Sequence, residues 1–136
     1  KDTMRVSEDI ASGVGMTIPD FPYSRLTKKE VSGYPVYGWD KMPNRHFHPA
    51  EMMLGEVWEQ DKDRLYKEPG MVTAGDYVCV ITGSGKTVSE SREKAYKNLD
   101  KIELPNSPMY RTDIGCRLES QLPELQKHGF CDSWKY

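Results

Sequence analysis

The chain has 136 residues, of which 37% are hydrophobic and 29% are charged. Its 19 basic and 21 acidic residues give a formal net charge of -2, whereas a nucleic-acid-binding module normally carries a clear basic excess. No stretch approaches the roughly 18 consecutive apolar residues of a transmembrane helix. We therefore expect a single domain over residues 1–136 that contacts neither nucleic acid nor membrane.

The three cysteines are too irregularly spaced for a disulfide framework or a paired-cysteine metal site. Their odd number favours a reducing compartment, so we expect a cytoplasmic location. Cys79 lies in an apolar run and is predicted to be a core residue. Cys131 is predicted to be an exposed thiol.

The first predicted element is a strand over residues 8–18, ended by Pro19. Glycines on one face, Gly13 and Gly15, leave room for a ligand or another backbone to approach. The opposite face has the period of two that is typical of a half-buried strand. It comprises Ile10, Ser12, Val14, Met16 and Ile18.

Residues 25–49 are predicted to be rich in loops, with short strands at 36–39 and 45–48. The polar residues 61–70 predict a turn region. Two β-rich runs follow, Met71–Thr73 and Tyr77–Thr82, joined by a short Gly-Asp link. This pattern predicts a β-hairpin.

A helix is predicted over residues 88–102, because Thr87 and Glu90 form a capping box at its start. Val88, Ala95, Leu99 and Ile102 share its apolar face. The charged residues of this helix, among them Arg92, are predicted to lie on a solvated face. A second, short helix is predicted over residues 123–128, with Pro123 first and Gly129 as the stop. The order of elements indicates an α+β fold with one helix covering a mostly antiparallel sheet or open barrel.

Residues 82–87, Thr-Gly-Ser-Gly-Lys-Thr, lie between a strand and a helix, as a phosphate-binding loop would. The P-loop requires an additional glycine five residues before Gly85, and that position holds Val80. We therefore favour a tight turn with a capping threonine over a nucleotide site.

His46 and His48 are spaced so that both imidazoles can lie on one strand face, as in some metal sites. A third ligand would have to come from Glu51 or Glu56. No further histidine or cysteine is near, so polar side chains flanking a buried Phe47 are the simpler interpretation, and we predict no metal.

Arg111 and Asp113 are two residues apart and share a face in extended chain. Such a pair forms a structural ion pair or presents a guanidinium to phosphate or carboxylate.

Several of these segments together resemble the C-terminal domain of phosphoribosylamine–glycine ligase, also called glycinamide ribonucleotide synthetase. Residues 80–102 are similar to the family's "V-T-x-x-G-x-T-x-x-E-A-x-x-x-A-Y" segment, and residues 110–117 match its tyrosine followed by "R-x-D-I-G-x-R". Phe47 and His48 are similar to the start of its "F-H-A-G-T" motif. The resemblance is strongest over residues 73–117 and weaker back to residue 8.

The resemblance implies a rudimentary barrel-sandwich hybrid that helps to close the active site of an ATP-grasp enzyme joining glycine to phosphoribosylamine in purine biosynthesis. The partners implied are the ATP-grasp and N-terminal domains of the parent chain, and the ATP-grasp domain would hold ATP and magnesium. We expect no cofactor and no catalytic residue in this segment, which we take to be part of a longer chain. Arg111, Asp113 and His48 are the implied substrate-binding residues.

The chain departs from the family pattern after His48, where Pro49-Ala50-Glu51 replaces Ala-Gly-Thr, and in a longer segment over residues 51–70 and an additional tail after Leu118. These departures leave a second interpretation open. In it, the chain is a stand-alone ligand- or protein-binding module that keeps the fold without the ATP-grasp domain.

Overall fold

The computed structural model describes residues 3–4 and 6–135. Within them, all pairing between named strands is antiparallel and no closed barrel forms, which confirms an α+β fold with antiparallel sheets. Neither helix is long and apolar enough to cross a membrane. The elements are β1 (Ile10–Thr17), β2 (Phe47–Pro49), β3 (Met52–Asp61), β4 (Arg64–Thr73), β5 (Tyr77–Gly85), α1 (Val88–Leu99) and α2 (Cys116–Lys127).

The main sheet has the order β1-β5-β2, with β5 in the centre. The predicted strand over residues 8–18 is confirmed as β1. Its predicted inner face is buried, because α1 packs across it. A Cβ added to Gly83 of β5 would collide with the backbone nitrogen of Ala95, so this glycine permits the helix to approach closely.

Helix α1 begins where the capping box predicts. The amide of Glu90 donates to the Thr87 hydroxyl at 3.1 Å, and the Glu90 carboxylate accepts from the Lys86 amide at 2.9 Å. The helix ends at Leu99, three residues earlier than predicted. Its predicted apolar face is buried as expected, at Val88, Ala95, Leu99 and Ile102.

The predicted hairpin between residues 71–73 and 77–82 is wrong. β4 pairs with β3 in a separate two-stranded sheet, while β5 pairs with β1 and β2. Residues 61–70, predicted to form a turn region, therefore belong mostly to a long hairpin whose turn is Lys62-Asp63. Polarity misled the interpretation, because this hairpin is largely exposed to solvent and needs few apolar side chains.

Loop backbone blocks the predicted pairing at the end of β4. The Thr73 amide donates to the Tyr34 carbonyl at 2.9 Å, and the Thr73 carbonyl accepts from the Gly33 amide at 2.8 Å. The predicted strand over residues 36–39 is reduced to a bridge between Tyr37 and Glu103. The one predicted over residues 45–48 begins as a 3₁₀ turn and becomes β2 at Phe47.

The second helix is twice as long as predicted, since α2 starts at Cys116 and contains Pro123 in its interior. Gly115 precedes it with φ of +80°, a conformation that favours glycine. Leu122 is fully buried against Ile10 and Val88, and Leu118 packs beside it. Burial of this face thus outweighs the hydrogen bond that Pro123 cannot make. A single helix was predicted to cover the sheet, whereas α2 also packs at its margin, where Leu122 contacts Ile10 of β1.

Candidate functional site

Arg111 and Asp113 form a bidentate ion pair on the loop that joins α1 to α2. Arg111 Nε donates to Asp113 Oδ1 at 2.8 Å, and an Nη donates to Oδ2 at 2.6 Å. Both side chains remain exposed, by 71% and 52%. The hydrogen bonds from Arg111 hold the pKa of the Asp113 carboxyl below its usual range and raise the pKa of the guanidinium. The pair predicted from spacing therefore forms, and it faces solvent.

Tyr96 of α1 fixes the backbone of this loop. Its hydroxyl donates to the Arg111 carbonyl at 2.8 Å and accepts from the Ile114 amide at 3.2 Å. Upstream, Met109 exchanges two backbone hydrogen bonds with Thr17 at the end of β1, at 2.8 and 2.9 Å. The loop is thus held at both ends, which presents Arg111 and Asp113 in one defined position.

Arg92 holds the far end of the same loop, at the start of α2. Its Nε donates to the Ile114 carbonyl at 2.6 Å, while its Nη groups reach Glu119 at 3.3 Å and the Cys116 sulfur at 2.9 Å. Its side chain is only 21% exposed. The predicted solvated role of Arg92 is therefore wrong: this residue joins the two helices.

A largely apolar cavity of about 460 Å³ lies beside the Arg111 loop, apart from a more polar cavity of about 650 Å³ elsewhere. We call the apolar space beside the loop the Arg111 cleft. The rings of Phe21 and Tyr77 stack in its wall with centroids 5.4 Å apart. Gly15 admits the Tyr77 ring, since an added Cβ would lie 3.2 Å from a ring carbon. The remaining lining residues are Thr17, Pro22, Met109, Tyr110, Arg111 and Ile114.

His48 does not line the Arg111 cleft. It lines a separate cavity of about 640 Å³ over the face of the main sheet opposite α1, together with Arg45, His46 and Thr82. We call this space the histidine cleft. The three predicted site residues therefore divide between two clefts, with Arg111 beside the first and His48 in the second.

The two histidines meet at one hydroxyl. Thr82 Oγ1 lies 3.2 Å from His46 Nδ1 and 3.2 Å from His48 Nε2. Burial lowers the pKa of His46, and the charge of Arg45 acts in the same direction. His46 is buried, whereas His48 is exposed.

Neither glutamate considered as a third metal ligand is directed to the histidine pair. Glu51 accepts a hydrogen bond from the Tyr77 amide, and Glu56 pairs with Lys67 at 3.3 Å. Across the described part of the chain, no group of three His, Cys, Asp or Glu side chains converges.

The glycine-rich turn over residues 82–87 does not form a phosphate cradle. Residues up to Gly85 belong to β5, and the capping box uses the amides of Lys86 and Glu90. This geometry agrees with the capping interpretation of the motif.

Three residues that organise the clefts were not identified from sequence: Tyr96, Arg92 and Thr82. Each of them contacts a residue at least 15 positions away in the sequence. Arg92 and Tyr96 lie on one face of α1, toward the loop that joins the two helices. Their spacing of four is a helical signal, but it does not indicate what lies opposite.

No protein-family model matches the chain. Over 51 residues it is 41% identical to the phosphoribosylamine–glycine ligase of Archaeoglobus fulgidus, and over 49 residues it is 43% identical to that of Corynebacterium ammoniagenes. The matches cover 38% and 36% of this chain, but only 11% of each ligase. The chain is thus similar to these ligases over one segment.

Proposed function

We propose that this chain is the C-terminal accessory domain of an ATP-dependent ligase resembling phosphoribosylamine–glycine ligase. The complete enzyme would join glycine to phosphoribosylamine in purine biosynthesis, and this domain would help to close the active site without catalysing ligation itself. The segment-level identity to two such ligases, from an archaeon and a bacterium, carries this proposal. In the same proposal, the two antiparallel sheets belong to a barrel-sandwich hybrid.

The Arg111 loop supports a role in positioning. Its backbone is held by Tyr96 and Thr17, so Arg111 and Asp113 are presented without a large loss of loop entropy on closure. Arg111 also stands at the rim of an apolar cleft. A fixed guanidinium at such a rim suits the alignment of a carboxylate or phosphate brought by another domain.

The chain's own residues do not fit ATP or magnesium. In the glycine-rich turn, residues up to Gly85 belong to β5 and the Lys86 amide donates to Glu90, and no three potential metal ligands converge among the described residues. We therefore assign ATP and magnesium to the ATP-grasp domain of the parent chain, which would be the main partner of this domain. A cytoplasmic location belongs to the same proposal, since its described cysteines are all free thiols.

The coding sequence before Lys1 tests the proposal. We expect it to encode an ATP-grasp domain, and we expect the full-length protein to release ADP only when glycine, phosphoribosylamine and ATP are all present. The isolated 136-residue chain should show no such activity. An upstream sequence without an ATP-grasp domain would contradict the ligase assignment.

A substitution then tests the role of the loop. In the full-length enzyme, Arg111→Gln should lower kcat/KM by about tenfold to a hundredfold, because one charge-assisted contact is lost. Arg64→Gln removes the same charge from the exposed hairpin and should leave kcat/KM unchanged. Equal effects of both substitutions would show that Arg111 does not contribute to the active site.

A second candidate is a stand-alone protein-binding module. The observation that favours it is the outer face of the β3–β4 hairpin, where Leu54, Trp58 and Leu65 are 81%, 53% and 62% exposed. Pairing of Leu54 with Met71 and of Trp58 with Lys67 shows that these side chains share one face. Purification of the native protein from its source decides between the candidates, because the module predicts a product of about 15.6 kDa.

A further inference from the structure

We propose that the histidine cleft binds a small oxyanion, a phosphate or a carboxylate, through Arg45 and His48. The inference concerns the face of the main sheet that α1 leaves uncovered. It does not depend on the proposed function, since it rests on the hydrogen bonding and charge of this cleft alone.

The first step is the protonation of His46. Arg45 Nε donates to His46 Nε2 at 3.2 Å, and a guanidinium nitrogen can only donate. His46 Nε2 therefore carries no proton, so the ring is neutral and its proton is on Nδ1. Burial, which disfavours the charged imidazolium, acts in the same direction.

The second step concerns Thr82. His46 Nδ1–H donates to Thr82 Oγ1, which leaves the hydroxyl with one proton and one lone pair. When His48 is neutral, the hydroxyl donates to His48 Nε2 at 3.2 Å. When His48 is protonated, the hydroxyl accepts from Nε2 and turns toward the Arg45 carbonyl at 3.5 Å. The network thus keeps partners for every member in both charge states of His48.

These bonds leave the outward groups available to a ligand. The Nε of Arg45 donates to His46. Its two Nη groups make no ion pair with any residue in the described part of the chain. His48 uses Nε2 on Thr82, which turns Nδ1 away from the network. Arg45 and His48 are both exposed and line the same cavity.

The charges around the cleft favour an anion. Asp9 also lines it, but Lys86 pairs with Asp9 at 2.5 Å and offsets its charge. Arg45 is the other charged side chain in the lining of the cleft, together with the imidazoles of His46 and His48. With Asp9 offset, the guanidinium of Arg45 leaves the lining with an excess of positive charge, and a cleft of one sign concentrates ligands of the other.

The floor of the cleft lets a ligand come close to the sheet. Opposite Thr82 and Ser84, β1 contributes Gly13 and Ala11, which are small. The space of about 640 Å³ is ample for phosphate or a compact organic acid.

The test is an NMR titration of the 136-residue chain, labelled with nitrogen-15, with inorganic phosphate and separately with acetate at constant ionic strength. We expect saturable shifts at the amides of residues 45–48 and 82–84. Arg45→Gln and His48→Gln should each weaken binding by about tenfold, the effect of one charged hydrogen bond. The two titrations distinguish a phosphate ligand from a carboxylate.

Matched controls come from the same chain. Arg64→Gln and His128→Gln make identical chemical changes at exposed positions away from the cleft and should leave the affinity unchanged. Thr82→Val should weaken binding because it removes the hydroxyl that holds both imidazoles, and Thr82→Ser should restore it. His48→Gln leaves the Arg45–His46 contact in place, so it tests the site even if Arg45→Gln does not fold.

Failure of both anions to give saturable shifts would overturn the proposal. Shifts at basic residues over the whole surface, affected equally by Arg45→Gln and Arg64→Gln, would do the same. Because the readout is binding to the isolated chain, neither result bears on the ligase assignment, and a failed ligase assay does not bear on this site.

Discussion

The Arg111–Asp113 pair combines good geometry with high exposure. Exposed ion pairs contribute little to stability, since water and salt screen them and ordering the side chains costs entropy. Here the backbone is held by Tyr96, so part of the ordering cost is met by the loop itself. The pair is better suited to fixing the direction of a guanidinium than to stabilising the fold.

We expect the Asp113 carboxyl to titrate below the usual aspartate range, and Arg111→Gln to move its midpoint upward. Because the pKa is lower in the folded state, the pair stabilises the fold above the usual aspartate pKa. That contribution is lost as pH falls through the lowered value. Carboxyl carbon NMR measures the midpoint directly. An unchanged midpoint in Arg111→Gln, as expected for the control Arg64→Gln, would show that the pair does not form in solution.

Cys79 should be inert in the native protein. Burial raises the pKa of its thiol to about 12, and the thiolate is the reactive form. Iodoacetamide at pH 8 should therefore modify the exposed Cys116 and leave Cys79 unmodified until the chain is unfolded in urea. Peptide mass spectrometry distinguishes the sites, and modification of both at the same rate would contradict the burial of β5. Cys131, predicted to be exposed, is half-buried against the second helix.

At the scale of elements, α2 depends on a single fully buried contact. Leu122→Ala should lower the free energy of unfolding by about 2–5 kcal/mol, because it leaves a cavity against Ile10 and Val88. Leu125→Ala, on the exposed side, should cost much less. Urea denaturation followed by circular dichroism gives both values. Equal values for the two variants would mean that α2 does not pack as described.

Elements defined by local signals were predicted well. β1 follows from alternation, and α1 follows from its capping box and the spacing of its apolar residues. The predicted 71–82 hairpin failed because β-propensity indicates a strand without naming its partner. The Tyr34 loop occupies the end of β4, some 39 positions away in sequence, and no local pattern reports that contact.

In the candidate site, too, contacts between sequence neighbours could be predicted and contacts between distant residues could not. Arg111 and Asp113 are neighbours in sequence, so their pairing could be predicted. The histidine cleft could not, because Thr82 joins His46 and His48 across 36 and 34 positions. Such contacts depend on the register of β2 on β5, which sequence spacing alone does not determine.

For the molecule as a whole, the β3–β4 hairpin is a mostly exposed extension with its own apolar face. The double variant Leu54→Lys and Leu65→Lys should change the free energy of unfolding by less than about 0.5 kcal/mol, because both side chains are largely exposed. Thermal unfolding by calorimetry measures the change. As a matched control, Val57→Lys in the same hairpin should be strongly destabilising, since Val57 is buried. A large loss in the double variant would mean that this face is covered within the isolated chain.

The central position of β5 also bears on how the chain folds as it is synthesised. β1 is made first, but its neighbour in the sheet is made only after both strands of the hairpin. Until residues 77–85 leave the ribosome, β1 has no strand partner and its apolar face has no helix to cover it. Pairing across such separations makes folding slow compared with that of helical proteins of the same size. The emerging chain therefore exposes an unpaired, half-apolar strand until β5 has been made, which is the interval in which a chaperone would protect it.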